Sequence, residues 1–192
     1  MTPNLEDRLR DIVRSSHELM EILRAARDVD PPDWVVGSGI VRDLVWDSLH
    51  GWTGPLRYKD ADVAFFDPHD LSPQRDASAT DLLRARLPHV AWEAKNQAAV
   101  HLWFEHRFGY KVDPLKSIED AVGTWPETAI CVAVRLPEDE RIEVVAPLGL
   151  EDLFDLRLRR NPRRVSPEEY RRRLDRNKVP ERWPLVTVDV DG

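Results

Sequence analysis

Asp60-Ala61-Asp62-Val63-Ala64-Phe65-Phe66 is the stretch on which the reading of this chain turns. Side chains on a strand alternate between its two faces, so Asp60 and Asp62 share one face while Ala61 and Val63 point the other way. Two neighbouring carboxylates at the mouth of an apolar run repel unless a cation lies between them or one of them holds its proton. A hard divalent cation answers this most simply, because Mg²⁺ prefers carboxylate oxygens together with phosphate oxygens and water. The chemistry that follows is phosphoryl transfer at a metal and nucleotide site.

Upstream, Trp34-Val35-Val36 reads as a short buried strand that Gly37-Ser38-Gly39 turns into a helix, with Ile40, Val41, Leu44, Val45 and Leu49 on its apolar face. Glycine turns before helices are common for backbone reasons alone. In a functional version, the helix N-terminus offers unpaired N–H groups and a positive dipole end to phosphate, Ser38 adds a hydroxyl and Arg42 forks onto a phosphate. Downstream, Asp67-Pro68 ends the acidic strand, a short helix is expected near Thr80 to Leu87, and His89 to Lys95 reads as a second strand. There Val90, Trp92 and Ala94 share one face and Glu93 and Lys95 the other, making Glu93 the candidate third carboxylate. Asn96 is placed to cap the helix that follows.

Residues 4 to 27 carry Leu5, Leu9, Ile12, Leu19, Ile22 and Leu23 at helical spacing with no internal glycine or proline, so one N-terminal helix is expected over 4–29, ended by Asp30-Pro31-Pro32. Ala129 to Leu136 and Ile142 to Val145 predict a hairpin across residues 137–140. Leu150 to Leu156 and Pro167 to Asn177 read as helices. At 192 residues the chain fits a single domain, 1–192, with a core at about 30–155.

No apolar run approaches the roughly 20 residues that span a bilayer, and Met1 to Arg27 lacks the apolar stretch of a signal peptide. A cytoplasmic protein with no membrane partner is expected. The single cysteine, Cys131, lies in an apolar run and reads as a small buried residue. The net charge of −7 opposes nonspecific nucleic-acid binding by the whole chain. Its distribution is uneven: residues 157–178 hold ten basic and three acidic side chains, or +7, leaving −14 elsewhere. That basic segment is either a solvated helix surface or a contact for an anion or RNA.

Rival motifs fail on position. Gly37-x-Gly39 echoes the dinucleotide fingerprint, but Arg42 stands where its third glycine belongs, and the acids precede the second strand instead of following it. No Gly-x-x-x-x-Gly-Lys-Ser/Thr occurs. His101 and His106 are five apart and diverge around a helix, against the i, i+4 zinc geometry. The seven tryptophans read mostly as core, with Trp46 or Trp52 placed to stack a base.

The order Gly37-Ser38, Asp60-x-Asp62 and then Glu93 resembles the DNA polymerase β-like nucleotidyltransferase superfamily. Val36 to Asp43 resembles the opening of poly(A) and CCA-adding polymerases, whose pattern has a second glycine where Ser38 stands. The chain also resembles a family of uncharacterised bacterial nucleotidyltransferases, through Arg42 with Val45-Trp46-Asp47, Leu49-His50-Gly51, Asp60-x-Asp62-Val63 and Trp92-Glu93-x-Lys95-Asn96-Gln97-Ala98 with His101. Ala121 to Pro126, Ala146-Pro147-x-Gly149-Leu150-x-Asp152-Leu153 and Trp183-Pro184 extend this likeness over roughly residues 30 to 185. Asp43 departs from it and follows the poly(A)-polymerase pattern.

The resemblance implies an α/β (α+β) polymerase β-like fold: a mixed sheet with flanking helices and helical N- and C-terminal extensions. It also implies a two-metal transfer of a nucleotidyl group from an NTP to a hydroxyl, with Mg²⁺ or Mn²⁺ held by Asp60, Asp62 and Glu93. Gly37, Ser38 and Arg42 would cradle the triphosphate. Lys95 is either a further phosphate contact or a plain surface neighbour of Glu93. The acceptor is unread, although the chain's acidity and its lack of room for a tRNA-grasping domain favour a small molecule or protein over long nucleic acid. Two other functions compete: a catalytically silent nucleotide- or anion-binding module, and an RNA-binding protein acting through 157–178.

Overall fold

A computed structural model describes residues 4–190; the expected domain limits at 1 and 192, and the start of the Met1 to Arg27 stretch, lie outside the described residues. Helices α1 (Leu5–Ser15) and α2 (His17–Val29) lead into β1 (Val35–Gly37), α3 (Gly39–Leu49), β2 (Ala61–Phe65), α4 (Pro73–Arg86) and β3 (Trp92–Asn96). There follow α5 (Val100–Phe108), α6 (Ile118–Val122), β4 (Ala133–Arg135), β5 (Glu143–Val145) and α7 (Glu151–Phe154). The chain finishes through β6 (Arg157–Arg159), α8 (Pro167–Asn177), α9 (Val179–Arg182) and β7 (Thr187–Asp189). No helix among the described residues is long and apolar enough to cross a membrane.

Five strands form a mixed sheet in the order β3-β2-β1-β4-β5, in which β2 and β3 run parallel and the other neighbours antiparallel. Helices flank this sheet, as expected. Its edge strand β3 would expose unpaired backbone groups, the usual liability of a sheet edge. Here α4 covers it: the Ala94 N–H donates to Thr80 Oγ1 at 3.1 Å and the Asn96 N–H to Asp76 Oδ1 at 2.8 Å.

Several sequence expectations are corrected. The single N-terminal helix is two, because Ser16 takes an extended backbone and its Oγ accepts from the Leu19 N–H at 3.2 Å, capping α2. Helix α4 begins at Pro73, well before Thr80; its first turns carry few apolar residues and give no periodicity to read. Residues 128–130 form a 3₁₀ turn, so the hairpin strand is only Ala133–Arg135. The 150–156 helix stops at Phe154, and Leu156 at φ 54° turns the chain into β6, which pairs in parallel with β7. The basic segment is therefore strand, turn and helix. Arg159, Arg163, Arg172, Arg173 and Lys178 within it are ion-paired to carboxylates.

Both chain ends share the core. Leu9 and Val13 of α1, Val179 of α9, and Trp183 and Val186 belong to the same buried cluster as Val36, Val63 and Phe65 of the sheet. The sheet itself is tightest at the end of β1. A Cβ on Gly37 would lie 2.6 Å from Ala133 Cβ and 2.8 Å from both Trp125 Cη2 and the Val132 carbonyl oxygen. These neighbours leave no room for a methyl group. Gly37→Ala is expected to cost about 3 kcal/mol by overpacking, lowering the melting temperature by roughly 6 to 12 °C in thermal denaturation.

Candidate active site

The parallel pairing of β2 with β3 builds the site. Its register sets Asp62 opposite Glu93, and Asp60 precedes Asp62 by the two residues that return a strand side chain to the same face. One carboxylate oxygen from each of Asp60, Asp62 and Glu93 lies within 4.8 Å of the others. All three donors are oxygen, the set that suits a hard divalent cation.

Their environments differ. Lys59 Nζ lies 3.1 Å from Asp60 Oδ2, while Glu93 keeps half of its side chain in solvent. At Asp62, burial first, then the charges of Asp60 and Glu93, push the carboxyl up to about 7, against a weaker opposing pull from Lys59. A part-buried carboxyl beside two others favours a proton or a cation there.

Behind the acids, Asn96 locks the end of β3. Its buried side chain donates to the Asp67 and Asp70 carbonyls at 2.7 and 2.9 Å, and accepts from the N–H groups of Asp67 and Ala98 at 3.0 and 3.1 Å. It caps the following turn, as expected, and also ties the loop leaving β2 to β3. Lys95 sits 3.6 Å from Asp76 and 3.9 Å from Glu93, loosely held between them.

Ser38 joins this group: with Asp62, Glu93, Lys95, Gln97 and Trp125 it lines a small cavity of about 160 Å³. It stands at the N-cap position of α3 at φ 63°, ψ −131°, its side chain making no capping bond. Residues with a Cβ rarely adopt this conformation. A glycine at this position would be unstrained.

Arg42 and Trp46 do not line this cavity. Arg42 donates to Asp43 Oδ1 from Nε and Nη2 at 3.0 and 2.7 Å, and its guanidinium lies 5.2 and 5.3 Å from the ring centroids of Trp46 and Trp183. Arg182 completes the pair at 3.0 Å from Asp43 Oδ2. Burial pushes the Asp43 carboxyl up, opposed by both guanidiniums. Trp46 is fully buried, its Nε1 donating to the Leu153 carbonyl at 2.8 Å, so it cannot stack a base. Trp52 lines a separate cleft with Leu44, Asp47 and Arg57. Cys131 is buried, which pushes its thiol up to about 12.

The ring beside the acids is Trp125, which sequence periodicity does not single out because it sits in a loop. Its carbonyl accepts from Asn161 Nδ2 at 2.9 Å, and the same amide donates to the Gly123 carbonyl at 2.9 Å. Asn161, from the basic segment, thus fixes the loop that carries Trp125. The Ala121 to Pro126 run was the only sequence signal for it.

A mixed sheet flanked by helices, with a glycine-turned helix after its first strand, is the fold of a polymerase β-like nucleotidyltransferase. The chain matches the nucleotidyltransferase family over residues 24–188, and it belongs to that family. It is also similar to a protein whose NMR structure is described as revealing a CCA-adding enzyme head domain. The two are 28% identical with a TM-score of 0.79, over 98% of this chain and 97% of that one. No curated protein is significantly similar to the chain.

Two consequences are measurable. The folded-state pKa of Asp62 lies above its unfolded value, so the native state holds the extra proton between about pH 4 and pH 7, and stability contributed by that proton is lost as pH rises through this window. In metal-free buffer, Asp62→Asn is expected to be more stable than wild type above pH 7 by up to a few kcal/mol, the difference shrinking toward pH 4 in urea titrations. Ser38→Gly, which relieves the backbone, is expected to gain about 1 kcal/mol in the same experiment.

Proposed function

We propose that the protein transfers a nucleotidyl group from an NTP to a hydroxyl acceptor and releases pyrophosphate. The observation that carries this reading is the register that sets Asp62 opposite Glu93 with Asp60 beside them, next to the start of α3. Asp60, Asp62 and Glu93 would hold Mg²⁺, with Mn²⁺ as the alternative. When bound there, the ion supplies charge neutralisation for the triphosphate and lowers the pKa of the acceptor hydroxyl.

The chain's own residues do the positioning. The first turn of α3, with no side chain capping it, offers its N–H groups and the positive end of the helix dipole to the triphosphate. Ser38 Oγ adds a hydrogen bond, and Gly37 brings the backbone close to sheet and ligand. Arg42 Nη2 lies 4.0 Å from where a Cβ on Gly39 would sit, near enough to the helix start to add positive charge while Asp43 holds it in place. Lys95, tied to its carboxylates only loosely, swings onto a phosphate oxygen.

In the transfer, the acceptor oxygen forms a bond to the α-phosphorus as the bond from that phosphorus to the bridging oxygen of the β-phosphate breaks. The electron pair departs with pyrophosphate. The hydroxyl proton passes to a Glu93 carboxylate oxygen, which is exposed enough to hand it on to solvent.

Thermal shift with each NTP, with and without Mg²⁺, tests the site. A nucleotide at 100 times its dissociation constant should add about 2.7 kcal/mol, raising the melting temperature by roughly 5 to 11 °C. The shift is expected to require metal and to vanish in Asp62→Asn. Once an acceptor is in hand, the same variant should lose on the order of 10³-fold or more in kcat with its fold intact. Normal turnover by Asp62→Asn would sink the assignment.

A further inference from the structure

A second, larger cleft lies beside the small cavity at the acids. It has a volume of about 680 Å³ and shares Glu93, Lys95, Gln97 and Trp125 with that cavity, so the two adjoin. Its volume falls within the roughly 300 to 1,000 Å³ of small-molecule sites.

The far wall is aromatic. Phe104 of α5 packs against Phe108 and Tyr110 with ring centroids 4.5 and 5.3 Å away, and Trp103 lies 6.1 Å from Phe104. Trp103 and Tyr110 remain 39% and 38% exposed, a costly display of apolar surface for residues with no partner to cover them. Two cations stand over these rings. Arg107 lies over Phe108, and Arg164 lies 5.6 Å from the Phe104 centroid while donating to the Asp113 carbonyl at 2.6 Å. Among the described residues neither is ion-paired to a carboxylate, in contrast to Arg163 and Arg173 nearby.

We propose that this cleft takes the acceptor, a small molecule with a flat aromatic ring and an anionic group, and presents its hydroxyl to Glu93. The inference rests on the nucleotidyltransferase reading above. Ring recognition follows from the aromatic wall, whose faces and edges favour stacked and T-shaped partners. The anion follows from two guanidiniums with no carboxylate partner among the described residues, since guanidiniums bind carboxylate or phosphate through forked hydrogen bonds. The placement follows from Glu93: it lines both cavities, and only the small one reaches Ser38, where the nucleotidyltransferase reading puts the donor phosphates. A cleft of this size on a protein of net charge −7 suits a small molecule better than a long nucleic acid.

The test uses 1-anilinonaphthalene-8-sulfonate, a fused-ring anion that fluoresces in apolar surroundings, titrated into the intact protein. One molecule per chain is expected to bind, with quenching of tryptophan emission. Trp103→Ala and Arg107→Glu, both at exposed positions, are each expected to weaken binding at least tenfold, while Trp52→Ala in the separate cleft leaves it unchanged. The Mg²⁺ complexes of α,β-methylene NTPs, which cannot transfer their nucleotidyl group, are expected to raise the melting temperature of wild type and Arg107→Glu alike without displacing the dye.

Unaltered dye binding in both cleft variants would overturn the proposal. Competitive displacement by a nucleotide would overturn it too, by giving the cleft to the donor's base, yet would leave the nucleotidyltransferase reading standing. Failure of every nucleotide to shift wild type would remove that reading and the acceptor assignment with it, even where the dye binds.

Discussion

Three carboxylates that repel one another are held together by the backbone hydrogen bonds of two parallel strands, and the rest of the molecule is arranged to keep those strands in register. A slip of one residue in β3 would turn Glu93 into the core and bring Trp92 or Ala94 out, so the register is defended by burial as much as by pairing. Asn96 and α4 defend it again, the first by tying the loop after β2 to the end of β3, the second by occupying the backbone donors of the sheet edge. The repulsion is thus stored in a frame stiff enough not to relax by moving. It relaxes instead by taking up a proton, and burial first, then the neighbouring carboxylates, push Asp62 towards holding one, or by accepting a cation.

Much of this frame was legible because it obeys local rules. Period-two alternation put Asp60 with Asp62 and Glu93 with Lys95, the Gly37-Ser38-Gly39 turn marked the start of α3, and Pro167 to Asn177 read as the helix that is α8. What stayed hidden depends on contacts between distant residues. Trp125 occupies a loop whose position is set by an amide 36 residues later in the chain, and no periodicity reports such a constraint. Arg42 was read as a phosphate ligand from its place early in a helix. Besides its neighbour Asp43, its guanidinium lies by the ring of Trp183, a contact that only tertiary structure reveals. Strands β6 and β7, three residues each, were invisible for the same reason: neither alternates over enough residues to be seen, and each exists because the other is there.

The large cleft and the small one divide the surface around Glu93 by chemistry. Towards Ser38 the lining carries the carboxylates of Asp62 and Glu93 close to a helix N-terminus; towards α5 it is aromatic and crossed by guanidiniums. Asn161 belongs to neither lining, yet its amide holds the loop bearing the tryptophan that both share. One buried side chain therefore couples the basic segment to the geometry of the acids.

The brace on α3 has a bearing on synthesis. Asp43 and Asp47 of this helix are bound by Arg182, and Asp47 accepts from Trp183 Nε1 at 2.8 Å, partners 135 to 139 residues further along the chain. Until those residues leave the ribosome, the helix beside the acids carries two hydrated carboxylates in place of a packed and paired face. Contacts so remote in sequence are the last to form, since their loop-closure entropy is offset only when the intervening domain has collapsed. The bracing of α3 is therefore a late event in folding, and the helix beside the acids is fixed only after the sheet has collapsed.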